Sequence, residues 1–394
     1  MKNNKNRKKR KSIEDSFPFI TKEPKKNRAL LVIVGAFLSV LFVFGAVLIT
    51  VTAVRNSRYV ASHGGFGMDE KTASYFASFY KSLFLEGSGA DDTPEFWASC
   101  PEGETKTYGE YLEEGYEQFV REVLAASSLY SSVASYGKDE KAEVEKSISF
   151  LLDSSEFRGS EEAFNRTVEQ YGFDLDSFRK ASELLYRYRR AKSALYGYSG
   201  ELIGAAEANE YFETYTYAEM IFVSDSRLSD SVVSANVAAL AEAIEIFRET
   251  DGRGSGSVTS EMFDGYKKYN SVTVGVNCGY YLNVNSEFTV KVGDESGAPF
   301  MHEVFETAIS ASVGEFCTVD YDGGICFIYK KPLTAGAYAD TEYEKFFTDF
   351  MSDASNYAYS EILKASCAEV RIKDSFYEID ITAIPYNYLY RTDF

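Results

Sequence analysis

The chain has 394 residues, with 60 Asp and Glu against 41 Lys and Arg, for a net charge of −19. That acidity argues against a nucleic-acid backbone as partner. Two histidines, His63 and His302, and five cysteines with no CxxC or Cys/His spacing exclude a His-based metal site and a zinc framework.

Residues 1–28 hold eleven Lys and Arg against Glu14, Asp15 and Glu23, a local charge of +8, so the remainder carries −27. Residues 29–54 contain no charged side chain. As a helix they would span ~39 Å, enough to cross a hydrocarbon core of about 30 Å with tilt. A cleaved signal has a shorter apolar core and a small-residue cleavage site. The following Thr52-Ala-Val-Arg-Asn-Ser-Arg58 offers no such site, and no Cys stands near for a lipid anchor. The reading is one uncleaved transmembrane helix at a cell membrane. Lys8-Lys-Arg-Lys11 belongs to a cytoplasmic arm that sets topology, and all that follows residue 54 is extracytoplasmic.

Residues 55–67, with Gly64-Gly65, read as a juxtamembrane linker, and residues 68–200 as a helical domain. Apolar spacing marks helices over Met68–Leu85, Thr107–Tyr136, Glu140–Leu152 and Glu161–Gly172. The strongest pattern runs from Asp176 to Leu195, where Phe178, Ala181, Leu185, Tyr188 and Leu195 form one stripe. Asp176 is the expected N-cap and Gly197 the stop.

A second unit spans 201–334. A short helix Glu207–Tyr215 leads into strand Tyr217–Val223, followed by helices Ser234–Thr250 and Glu261–Tyr269. Strand Val272–Leu282, helix Met301–Ser310, and strands Phe316–Asp320 and Ile325–Lys330 complete a β-α-α-β-α-β-β order, with a hairpin turn at Asp322-Gly-Gly324. Arg253-Gly-Ser-Gly-Ser257 lacks the strand-then-helix frame of a phosphate cradle. Residues 335–394 give a helix near Asp340–Ala365 and strands Glu369–Ile372 and Phe376–Ile384, with a Tyr-rich tail. They are expected to return to the helical domain. The fold class is α+β. The cysteines read as small buried hydrophobes, with a Cys317–Cys326 pairing across the hairpin as the alternative.

Four segments carry a family resemblance: Tyr217-Ala-Glu-Met-Ile-Phe-Val223, Asn277-Cys-Gly-Tyr-Tyr281, Met301-His-Glu-Val-Phe-Glu-Thr-Ala-Ile309 with Val313-Gly-Glu315, and Gly324-Ile-Cys-Phe-Ile328. In that order they resemble a parvulin-type (PpiC-type) peptidyl-prolyl isomerase domain. Helix Asp176–Leu195 with Tyr171-Gly172 before it resembles the helical module of PrsA/SurA-type extracytoplasmic foldases. The resemblance implies unfolded or newly secreted polypeptides as partners and no cofactor or metal.

The implied chemistry needs no nucleophile. A barrier of about 20 kcal/mol, set by amide double-bond character, falls when a pocket holds the proline and favours the twisted amide. The family uses an apolar floor and a polar cluster of two His with an Asp or Cys. Here the His positions fall on Met220 and Cys326, and the Asp/Cys position falls near Ser271–Val272. Met301 and Phe305, or Val304 if the register slips by one, are the implied proline contacts, with Tyr280 and Tyr281 beside them. Replacing both members of a buried polar pair by apolar groups is nearly neutral, whereas losing one costs about 1–3 kcal/mol. The expectation is a foldase whose isomerase site is weak or inactive, with Tyr and Phe, thirty of each, supplying adaptable contact area as well as core. The alternatives are an envelope sensor or scaffold reusing the fold, and an isomerase with a rearranged polar set such as Ser271, Tyr280 and Cys326.

Overall fold

The computed structural model describes residues 58–270, 279–284, 302–339, 344–387 and 389–390. The basic arm, the apolar run 29–54, Ser271, Cys278 and Met301 lie outside the described residues. Among the described residues no helix is long and apolar enough to cross a membrane. Val60–Phe394 form one compact unit of mixed helix and sheet.

Residues 58–67, the described part of the expected linker 55–67, depart from it. Ala61–His63 (β1) and Phe66–Met68 (β2) pair as an antiparallel hairpin, and Ala61 and Ser62 pair again with Ile372 and Arg371 of β7 (Arg371–Ile372). The two-residue turn is Gly64-Gly65 with φ of 55° and 87°, the positive pair that matches the twist of flanking strands. A Cβ at Gly64 would sit 2.0 Å from Ser128 Oγ, so close approach to the neighbouring helix also requires glycine there.

The helical body is built on α1 (Glu70–Ser88), α3 (Tyr108–Val133) and α6 (Leu175–Tyr196), which pack on one another. The short α2 (Pro94–Ala98), α4 (Lys138–Leu152) and α5 (Glu161–Val168) fill its flanks. A Thr107–Glu110 capping box starts α3, and left-handed Gly89 ends α1. The N-cap of α6 is Asp174, two residues before the expected Asp176. It accepts from Ser177 N and also binds Lys71 of α1 at 2.6 Å, which ties two helices at one cap. The core between them is aromatic, with Tyr75, Phe76 and Phe178 fully or nearly fully buried.

From α7 (Ala205–Phe212) the chain enters β3 (Tyr215–Ser224), then α8 (Asp225–Leu228), α9 (Ser231–Thr250), α10 (Ser260–Asn270), β4 (Gly279–Asn283), α11 (His302–Ser310), β5 (Phe316–Tyr321) and β6 (Gly324–Lys331). The four strands form an antiparallel sheet in the order β4-β3-β6-β5. Helices α9 and α10 cover one face through Val237, Leu240, Ile244 and Phe263 against Ile221, Val223 and Phe327.

Helix α12 (Glu344–Ala368) packs on α7 and on α3 and α6. Its Phe350 sits with Phe212, Tyr215 and Tyr338 in the cluster that joins sheet to helical body. The expected strand Phe376–Ile384 is absent. A 3-10 turn covers Asp374–Phe376, and the Asp380 carboxylate accepts from Thr382 N and Ala383 N, folding the segment into a turn. Phe376 and Ile381 still enter the helical core.

Burial alone would raise the Asp174 carboxyl, but Lys71 and the Ser177 donors outweigh it and hold it down to about 2. A depressed carboxylate stabilises above its unfolded pKa, about 3.9, and loses that contribution as pH falls toward 2. The full shift would correspond to about 2.6 kcal/mol, reduced to ~1 kcal/mol because Lys71 is well exposed. Asp174→Asn should therefore destabilise by ~1 kcal/mol at pH 7 in urea unfolding, a difference that shrinks between pH 4 and pH 2.

Candidate functional site

Strand alternation puts Ala218, Met220 and Phe222 of β3 on the sheet face opposite α9 and α10. The registers Met220↔Ile328 and Phe222↔Cys326 bring Cys326 and Ile328 to the same face. Cys317, Val319 and Tyr321 of β5 extend it on one side, and Tyr280 and Leu282 of β4 on the other. Helix α11 lies over this face through buried Val304 and Ala308, with Phe305 half-buried.

Met220 is 1% exposed and Cys326 is 0% exposed, as diagonal neighbours in a continuous apolar seam. Burial pushes the Cys326 thiol well above its ordinary range, so it is neither a thiolate nor a proton donor of use near neutral pH. The rim is more open. Phe222 meets Tyr280 and Tyr321 edge-on at 5.9 and 5.8 Å, and both tyrosines are half-buried. The result is an aromatic shelf beside Phe305, with the closed seam beneath it.

Lys330 shares this face and is 4% exposed. Its ammonium donates to the Ala308 and Ile309 carbonyls at 2.6 and 3.1 Å. Those are the last carbonyls of α11, which lack intrahelical partners and carry the negative end of the helix dipole. Burial draws the Lys330 ammonium below its ordinary value, and burial raises its neighbour Cys317 to about 11. Lys330 therefore pins α11 to the sheet.

The structure thus gathers Met220, Tyr280, Phe305 and Cys326, with Val304 at the seam's centre. Tyr281 departs from the expectation. It points to the other face, against Phe212 and Tyr217, because neighbours along a strand alternate. Ser271 and Met301 lie outside the described residues. Cys317 faces Ile328 and Cys326 faces Val319, and both thiols are free, so the cross-hairpin disulfide is not formed. Lys330, Phe222 and Tyr321 were missed from sequence. The period-2 count from Met220 and Cys326 reaches Phe222 and Lys330, and a lysine on a buried face signals a partner. Among the described residues no group of His, Cys, Asp or Glu stands together as a metal site.

No family model matches the chain, and no curated protein matches it. Among solved structures the chain is similar to foldase protein PrsA from Streptococcus pneumoniae str. Canada MDR_19A, at 14% identity and a TM-score of 0.21, covering 73% of this chain and 98% of that one. It is similar to PrsA from Bacillus subtilis at 14% identity and a TM-score of 0.20, over 67% of this chain and 88% of the other. A peptidylprolyl isomerase (PrsA) from Bacillus anthracis gives 14% and 0.23, over 65% and 100%. Likenesses this distant carry no argument about activity.

A single histidine at either seam position would be an unsatisfied buried polar group. Met220→His and Cys326→His should each cost about 2 kcal/mol in urea unfolding at pH 7.5. The double variant should cost ~1 kcal/mol less than the sum, because two diagonal imidazoles can bond each other. Strict additivity would show that the two positions do not share the seam.

Proposed function

We propose that the chain is a membrane-anchored extracytoplasmic foldase of PrsA/SurA type that captures unfolded polypeptides, with a parvulin-like domain that binds peptide but turns over X-Pro bonds weakly or not at all. The observation that carries the second half is the seam. Met220 and Cys326 occupy the face beneath α11 among apolar side chains, the Cys326 thiol donating only to the Phe327 carbonyl at 3.8 Å, and the Lys330 cation on that face is committed to helix carbonyls. Favouring a twisted amide over a planar one requires polar groups or dipoles aimed at the amide, and among the described residues the polar tips on this face are the Tyr280 and Tyr321 hydroxyls at its rim, with Lys330 held by carbonyls.

Capture is supported by the sequence resemblance and by the shelf of Phe222, Tyr280, Tyr321 and Phe305. Aromatic rings with polar tips give large contact area with little demand on partner sequence. The charge-free run 29–54 behind a basic arm supports the anchor, with the acidic remainder outside the membrane.

The test is a protease-coupled assay of X-Pro isomerisation on Val60–Phe394, alongside suppression of aggregation of a chemically unfolded protein. Isomerisation should stay within about twofold of the uncatalysed rate, tens of seconds at 25 °C, while aggregation is suppressed. Phe305→Ala should weaken suppression without changing the isomerisation trace. Robust turnover abolished by Phe305→Ala would overturn the non-catalytic reading. Failure to suppress aggregation, with one stable partner recovered in pull-downs, would favour an envelope sensor or scaffold.

A further inference from the structure

The last described residues run as a strap without regular structure along α1 of the helical body. Lys81, 1% exposed, donates to the carbonyls of Thr382 and Ile384 at 2.8 and 2.9 Å. Asn387 N donates to Ser78 O at 3.0 Å. The Tyr390 ring then enters a pocket of Phe157, Phe164 and Tyr171, and its hydroxyl donates to Glu156 at 2.7 Å.

This is how a groove holds a peptide. The three tethers at Lys81 and Ser78 fall on strap backbone, which any sequence offers, and a single aromatic ring supplies the anchor. The outer side of the strap stays open, with Tyr386 40% and Leu389 62% exposed. A cavity of about 350 Å³ opens beside Tyr386 between Ser82, Leu85 and Ala90. The grip is therefore tight at Lys81, Asn387 and Tyr390, with Tyr386 and Leu389 turned outward between them.

We propose that this groove is a second polypeptide-binding site, held shut by the chain's own C-terminal strap, and that its occupant in trans is an extended unfolded segment bearing an aromatic residue. The inference rests on the capture reading above. A tethered strap competes at an effective concentration in the millimolar range, so an incoming segment binds weakly until the Tyr390 anchor is released. An unfolded chain that offers many aromatic residues near one another meets that competition by repeated attempts.

The experiment uses the full chain in mild detergent and a fluorescein-labelled peptide that copies residues 382–390, read by fluorescence anisotropy. Tyr390→Ala empties the ring pocket without altering its walls, and should bind the peptide at least about tenfold more tightly than wild type. A peptide with Ala in place of its last Tyr should lose that gain. If circular dichroism shows Tyr390→Ala to be unfolded, Tyr390→Phe removes only the Glu156 bond and should give the same change in smaller measure. Equal or weaker binding by the folded variant would overturn the inference. Aggregation suppression on the same preparations separates the two readings. Suppression by wild type with no gain in peptide binding by the variant removes the strap site alone, and no suppression by either protein removes both.

Discussion

One buried ammonium organises the helical body. Lys81 sits inside α1 with Asp92 at 2.7 Å, the Trp97 ring at 5.2 Å, and the carbonyls of Thr382 and Ile384. A buried cation is tolerable only when carboxylate and carbonyl oxygens replace its water, so this site is complete only when residues three hundred positions apart in sequence have met. The same dependence appears in β1, whose partners are β2 and the distant β7, and in Arg121 of α3, which donates to Val370 O at 3.0 Å. The body is thus assembled from both ends of the described chain. The four-stranded sheet hangs from it between α7 and α12, joined through Phe212, Tyr338 and Phe350.

That arrangement frees the sheet from carrying the fold's stability alone, and its α11 face shows the consequence. A polar cluster in such a seam must be satisfied as a whole or removed as a whole. Met220 and Cys326 fill the seam at 1% and 0% exposure. Both are soft side chains, and the Cys326 thiol needs only the neighbouring Phe327 carbonyl as acceptor. The polar work that remains on that face is structural, with Lys330 holding the end of α11. The half-buried edge of that face is aromatic, with Tyr280 and Tyr321 flanking the buried Phe222.

Local signals were readable from the sequence where local physics decided the outcome. The stripe Phe178, Ala181, Leu185 marks α6 because a helix buries one face at a 3.6 period, and Asp322-Gly-Gly324 marks the β5–β6 turn because that turn demands glycine. Met220 and Cys326 were picked out by the family resemblance, and the sheet register puts both on one face. Misses arose where distant contacts decided. Gly64-Gly65 was a readable hairpin turn, but its strands are three residues each and gain their value from β7 and Ser128. Phe376–Ile384 alternates like a strand, yet no edge receives it, and Lys81 with the Asp380 turn claims its backbone instead. Asp174 outcompeted Asp176 as cap because Lys71 of another helix stands beside it. Tyr281 was grouped with Tyr280 by adjacency, and a strand sends adjacent residues to opposite faces.

Native-state hydrogen exchange tests the two-ended assembly most directly. Backbone amides in the C-terminal segment, such as Val370, Lys373 and Phe376, bond to Cys367 O, Val60 O and Lys373 O. If the body is one cooperative structure, those amides and the interior amides of α3 and α6 will exchange through the same opening, with equal free energies and equal response to low denaturant. Exchange of the C-terminal amides through a separate opening, several kcal/mol less costly than that of α3 and α6, would mean that the helical body stands without its C-terminal return.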